Sequence, residues 1–187
     1  MAVLTLLLWC GLLLSTITQL WFWGVCFHKV ANYSPPNLPA QADEELPPAS
    51  IIICARNEED NLRRNLPLFL QQDYPTYEVI VVDDNSTDKT AEVVLEFQKK
   101  FSTLRLLTVR NKTSPGKKAA LSLGIKQASF ERLFLSDTDC RPVSRQWLRV
   151  MSRSLTGSTG IVLGYGPYLK RDGWLNRFIR FEAFYTA

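Results

Sequence analysis

The stretch Val79-Ile80-Val81-Val82-Asp83-Asp84-Asn85-Ser86-Thr87-Asp88 decides how the rest of the chain reads. Four β-branched apolar residues run straight into two adjacent carboxylates and a cluster of turn formers. A run so short, so apolar and so abruptly ended is the pattern of a strand covered on both faces. Two carboxylates side by side repel unless a cation or a hydrogen-bond donor sits opposite. Asp83 and Asp84 therefore either receive a ligand or cap the helix that follows.

Outward from this stretch, strand and helix patterns alternate. Before it, 50–55 (SIIICA) is a short buried strand, and 58–72 has helical spacing through Leu62, Leu66, Phe69 and Leu70, with Pro67 an imperfection. After it, 87–100 is an amphipathic helix and 104–109 a third strand. Ser114-Pro115-Gly116 opens a helix through Ala120, Leu121, Leu123, Ile125 and Ala128, with Ser114 as N-cap and Pro115 at the first helical position. Leu133 to Ser136 is a fourth strand that meets Asp137-Thr138-Asp139, and 160–165 is expected to form another. Apolar strands separated by helices predict an α/β, Rossmann-like, mostly parallel sheet with helices on both faces.

In such sheets ligands sit beyond the carboxyl ends of the strands. That rim carries Ala55, Arg56 and Glu58 after the first strand, Asp83 and Asp84 after the second, and Asp137 and Asp139 after the fourth. Lys117 lies in the first turn of the third helix. If the backbone stays extended past the fourth strand, Asp137 and Asp139 share one side and face one ion. Carboxylates together with phosphate oxygens suit Mg²⁺ or Mn²⁺. A helix N-terminus with a lysine suits an anion, and Asp83 or Asp84 suits the hydroxyls of a nucleoside. Singly each feature is ordinary: Asp-x-Asp often caps a helix, and Lys117-Lys118 often lies on a solvated face. Their convergence on one rim is the functional signal, and it describes a nucleotide-diphosphate site.

The motifs IIICARNEEDNL, VIVVDDNSTDKT, PGKKAALSLGI and LFLSDTDCRP resemble, in order and spacing, the N-terminal half of family 2 glycosyltransferases of the GT-A fold. The similarity runs from Ser50 to about Tyr168 and is greatest to the membrane-anchored, cytoplasm-facing bacterial members. The resemblance implies that Ala55, Arg56, Glu58 and one of Asp83 and Asp84 contact the nucleoside, and that Lys117 meets the diphosphate. It implies that Asp137, with Asp139, forms the metal motif for a nucleotide sugar. Its expected activity is hexosyltransferase-like: a UDP-sugar and a divalent metal used to glycosylate a polysaccharide or lipid acceptor. Ser122 stands where the family often has Asn. The family's catalytic-base aspartate and its Gln-x-x-Arg-Trp motif have no counterpart before Ala187, so the chain reads as a fragment expected to be inactive alone. Two rivals remain at this level: a receiver-type phosphoacceptor domain, where "VVDDNS" is equally at home, and a catalytically inactive nucleotide-binding scaffold.

The N-terminal 28 residues read as a transmembrane anchor. No charged side chain occurs from Ala2 to Phe27, and as a helix at ~1.5 Å per residue this stretch crosses a ~30 Å hydrocarbon core. Trp21, Phe22 and Trp23 fall where an aromatic belt belongs. A cleaved signal would want basic residues before a shorter apolar core, and a buried core helix would show a polar face. Lys29 and the later arginines place the body in the cytoplasm, at the inner membrane, which makes the Asn-x-Ser/Thr triplets at Asn32, Asn85 and Asn111 chance matches. Residues 29–49, rich in proline and acid, read as a linker. Residues 50–170 then form the nucleotide-sugar-binding domain, and 171–187 an amphipathic helix suited either to a membrane interface or to a core. With 22 basic and 18 acidic residues the chain lacks the dense basic stripe of a nucleic-acid binder. Four cysteines without Cys-x-x-Cys spacing and a single histidine argue against zinc and suit a reducing compartment.

Overall fold

The computed structural model describes residues 1–32, 46–109, 116–155 and 159–186. The chain divides into two compact units, Met1–Pro39 and Ala40–Ala187. The first holds helix α1 (Ala2–Ala31), whose segment Ala2–Val25 is long and apolar enough to cross a membrane. Its threonine hydroxyls are satisfied within the helix: Thr16 donates to the Leu12 carbonyl at 2.9 Å and Thr18 to that of Leu14 at 2.8 Å. That removes most of the cost of carrying them into hydrocarbon. The helix runs three residues past the expected boundary at residue 28. Most of the expected linker, 33–45, lies outside the described residues. Its last part belongs to the body, since Leu46 is buried and Ala49 opens a strand.

The second unit is built on four strands, β1 (Ala49–Ala55), β2 (Tyr77–Asp83), β3 (Leu104–Thr108) and β4 (Arg132–Asp137), all parallel in the order β3-β2-β1-β4. Between them run α2 (Glu59–Leu70), α3 (Thr90–Gln98) and α4 (Lys118–Gln127); α5 (Trp147–Ser154) and α6 (Trp174–Thr186) follow β4. Side chains alternate across a strand, and the alternation sorts the core into two layers. Ile51, Ile53, Val79, Val81 and Phe134 pack with Leu62, Leu66 and Phe69 of α2, Val93 and Val94 of α3, and Leu148 of α5. Ile52, Cys54, Ile80 and Val82 face the other way, onto Ala120 of α4. This is the doubly covered parallel sheet that the continuous apolar strands predict.

Three local readings need correction. Helix α4 begins at Lys118, later than the start expected at Pro115. Gly116 precedes it at φ +106°, a conformation open mainly to glycine; Ser114 and Pro115 lie outside the described residues. Helix α5 was not anticipated, because Pro142 and a run of polar residues precede it. Its signal is the spacing of Trp147, Leu148, Met151 and Leu155, which together pack on the core. Trp147 presents its ring edge-on to Phe69 and Phe134, with centroids 5.8 and 6.2 Å away. Residues 160–165 form no strand: Ile161 and Leu163 are 78% and 90% exposed. A strand needs a paired edge and a covered face, and among the described residues neither is offered there.

Helix α4 sits close on the sheet because Gly124 faces it. A Cβ at Gly124 would lie 2.6 Å from Ile52 Cγ2 and 3.1 Å from Val82 Cγ2, both fully buried. Gly124→Ala is expected to destabilise the body by up to about 2 kcal/mol, because overpacking of ~1–3 kcal/mol outweighs the ~1 kcal/mol gained in helix propensity. Urea unfolding measures this; a stabilised variant would mean that α4 can lift off the sheet without cost.

The amino-terminal end of the sheet is pinned by a buried carboxylate. Glu78 accepts from Ser50 Oγ (2.7 Å), the Ser129 amide (2.6 Å) and Arg105 Nη1 (2.8 Å), tying β1, β2, β3 and the α4–β4 connection together. Burial alone would raise its pKa, but these donors outweigh it and hold the carboxyl below its ordinary value. This network stands at the edge opposite the candidate site and serves the fold.

Candidate nucleotide-sugar site

The strand order places the site. The chain moves from β1 outward through β2 to β3, then returns across to β4 on the other side of β1. A crevice opens beyond the carboxyl ends of β1 and β4, where the direction of winding reverses. A cavity of about 380 Å³ lies there, lined by Cys54, Ala55, Arg56, Glu58, Asp84, Gly116, Lys117, Asp137, Thr138 and Asp139. Of the residues expected from sequence, only Asp83 is missing from this wall.

Strand alternation explains why the adjacent carboxylates part. Val79 and Val81 point to the α2/α3/α5 layer, and Ile80 and Val82 to the α4 layer. Asp83 continues the first set and Asp84 the second. Cys54 and Asp137, paired in register across β1 and β4, also lie toward α4. The cavity opens on the α4 side, so Asp84 reaches it. Asp83 instead accepts from the Ser86 amide at 3.1 Å, holding the turn, and is 4% exposed. Neither aspartate caps α3. The loop before α3 is held instead by Asp88, which accepts from the Thr90 amide (3.0 Å) and hydroxyl (2.5 Å) and from the Glu59 amide (3.3 Å). Desolvation pushes the Asp88 carboxyl up, yet these donors hold it below its ordinary value.

The two loops that frame the cavity are stapled to each other. Asn57 and Asn85 stand in the left-handed region at φ +55° and +58°, which asparagine tolerates better than other side chains. The Asn57 main-chain N–H donates to Ser86 Oγ (3.0 Å), and its side-chain Oδ1 accepts from the Thr87 main-chain N–H (2.8 Å). The Glu58 amide donates to Thr90 Oγ1 at 2.8 Å, and the Glu58 carboxylate accepts from Asn61 at 2.6 Å. The third wall is a turn, not the extended backbone expected: the Cys140 amide donates to the Asp137 carbonyl at 3.2 Å. Asn65 of α2 fixes that turn by donating to the Thr138 carbonyl at 2.7 Å. Both Asp137 and Asp139 still line the cavity. Sequence reasoning missed the braces Asn57, Asn65 and Asp88 and the wall residues Cys54, Gly116 and Thr138; only the Asn residues beside strand ends offered a signal.

The electrostatics are those of a polar, water-accessible cleft. Lys117 donates to Asp137, and both are about half exposed. Burial raises the Cys54 thiol above its ordinary pKa; the Lys117 ammonium opposes this, and Asp137 and Asp84 add to it. Cys140 is raised likewise, by burial and then by Asp139 and Asp137. Protonated thiols are poor nucleophiles, so neither cysteine suggests covalent chemistry. Among the described residues no three His, Cys, Asp or Glu side chains converge closely enough to hold a metal ion by themselves. Two carboxylates on one wall nonetheless fit a hard divalent cation, which commonly takes one or two protein carboxylates and completes its shell with water and phosphate oxygens.

The family model for glycosyl transferase family 2 matches residues 50–183, so the chain belongs to that family. The glycosyltransferase AglE of Haloferax volcanii is 37% identical over 120 residues, covering 63% of this chain and 38% of AglE. A solved mannosyltransferase of Pyrobaculum calidifontis, PcManGT, in complex with GDP-Man and Mn²⁺, superposes with a TM-score of 0.61 at 27% identity, covering 75% of this chain and 40% of that one. TarS 1-349 of S. aureus in complex with UDP-GlcNAc gives a TM-score of 0.50 at 25% identity, covering 63% and 37%. The chain thus spans well under half the length of these relatives. Membership sets aside the receiver-type reading. The topology agrees, since the acid pair ends β2, whereas a receiver carries it after the first strand.

Proposed function

We propose that this chain carries the donor-binding part of a membrane-bound glycosyltransferase that transfers a sugar from a UDP-sugar to a glycan or lipid acceptor. The observation that carries the reading is the convergence of Asp84, Lys117, Asp137 and Asp139 on one cavity at the switch point of the sheet. Asp84, with Ala55, Arg56 and Glu58, receives the nucleoside; a buried carboxylate suits its hydroxyls and ring N–H groups. Asp83 contributes by holding the turn that aims Asp84. Lys117 and the free amides at the start of α4 meet the diphosphate. Asp137 and Asp139 hold Mg²⁺ or Mn²⁺, which supplies charge neutralisation for the departing diphosphate. By keeping these groups fixed before the glycosidic bond breaks, the chain spends no reorganisation energy as negative charge grows on the leaving group. The complexes of PcManGT with GDP-Man and Mn²⁺ and of TarS with UDP-GlcNAc support both donor class and cation. Helix α1 anchors the enzyme in the inner membrane, and Lys29 beyond its apolar stretch favours a body facing the cytoplasm.

Titration calorimetry with UDP, with and without Mn²⁺, tests the proposal. UDP is expected to bind only weakly alone and at least about tenfold more tightly with the cation, a difference of ~1.4 kcal/mol. Equal affinity in both conditions, or no binding, counts against the donor site.

A further inference from the structure

Helix α6 packs with the wrong face outward for water. Its half-buried strip is Asn176, Ile179, Arg180 and Ala183, and Asn176 ties it to the preceding segment by donating to the Leu169 carbonyl and accepting from the Arg171 amide. The other faces display Trp174, Leu175, Phe178 and Phe181, which are 79%, 56%, 57% and 43% exposed. A helix on a soluble body normally hides this stripe, and a contiguous apolar patch left outside marks an interaction surface. The charges around it are mostly positive: Lys170, Arg171, Arg177 and Arg180 against Asp172 and Glu182. Lys170, Arg171 and Arg177 are exposed.

Aromatic rings flanked by arginines and a lysine match the boundary between acyl chains and anionic headgroups. A cluster of cations is a poorer match to a second copy, which would bring the same charges together. The same chain also carries α1, and an element tethered to a bilayer meets its surface at high effective concentration. We infer that the Trp174–Phe178–Phe181 face of α6 lies in the interface of an anionic membrane, holding the body against the surface from which a lipid-linked acceptor would be approached. This rests on the reading of α1 as an anchor.

The test reconstitutes the full chain into phosphatidylglycerol vesicles and, in parallel, neutral phosphatidylcholine vesicles. Flotation reports membrane association. Quenching by lipids brominated along the acyl chain, taken as the difference between the native chain and Trp174→Phe, isolates Trp174 from the other tryptophans. The expected result is loss of most of the Trp174 emission in anionic vesicles and a smaller loss in neutral ones. A Lys170→Glu, Arg171→Glu, Arg177→Glu variant is expected to float as before yet lose that difference. Flotation with Trp174 unquenched overturns the inference and leaves the anchor standing. Failure to float overturns both. Dimers in cross-linking with Trp174 shielded from lipid assign the face to a second copy, and that also overturns it.

Discussion

Replacing Asp139 by alanine is expected to abolish the cation-dependent part of UDP binding while leaving the fold intact. Asp139 lines the cavity from the turn after β4 and is exposed there. With Asp137 it would supply a cation in this cleft with two protein carboxylates, so its removal would halve the protein's charge on the ion. A contact to a charged group is worth roughly 1.5–3 kcal/mol, or about 10–150-fold. Because the cation would also offset the charge of the diphosphate, the loss is expected toward the upper end, on the order of 100-fold. Stability should move by less than about 0.5 kcal/mol, as for other exposed positions, because the turn itself is held by the Asp137 carbonyl and by Asn65. Calorimetry with Mn²⁺ and UDP reads the first effect, and thermal unfolding by circular dichroism the second. An unfolded variant would make Asp139 a structural turn residue; unchanged binding would move the cation elsewhere.

The sheet was legible because its strands are apolar on both faces, a pattern few alternatives share. The cavity wall was legible because ligand groups cluster at strand ends in this architecture. Which of two adjacent aspartates enters the cavity was also decidable in principle. The parity that sends Ile80 and Val82 toward α4 sends Asp84 there too, once α4 is known to carry the lysine. Other features were not legible. The staples from Asn57 to Ser86 and Thr87, and from Asn65 to Thr138, join residues far apart in sequence, and their geometry exists only after the sheet has formed. Helix α5 hides its period in a short segment where arginines separate the apolar positions. The strand expected at 160–165 shows the converse. Its residues are apolar enough, but β propensity expresses packing against neighbours more than a property of the backbone.

Lys117→Met is expected to separate two roles that a single lysine plays. In the free chain its ammonium pairs with Asp137, one of the two carboxylates proposed to hold the cation. Both groups are about half exposed, 51% and 57%, so the pair is worth only ~0–1 kcal/mol. Removing it frees Asp137, and Mn²⁺ alone should bind equally well or up to about fivefold better. With nucleotide the sign reverses. A lysine at the start of α4 that faces a diphosphate makes charge-assisted contacts worth ~1.5–3 kcal/mol, so UDP in saturating Mn²⁺ should bind about 10–100-fold more weakly. Methionine keeps the length and apolar stem of lysine, so the first turn of α4 should remain packed. Separate titrations of Mn²⁺ alone and of UDP with Mn²⁺ distinguish the outcomes. Both affinities falling together would mean that Lys117 only shapes the cavity. An unchanged UDP affinity would take the diphosphate away from α4. Opposite signs in one variant require that the lysine contact the carboxylate in the free state and the phosphate in the bound one, which makes nucleotide binding release Asp137 to the cation.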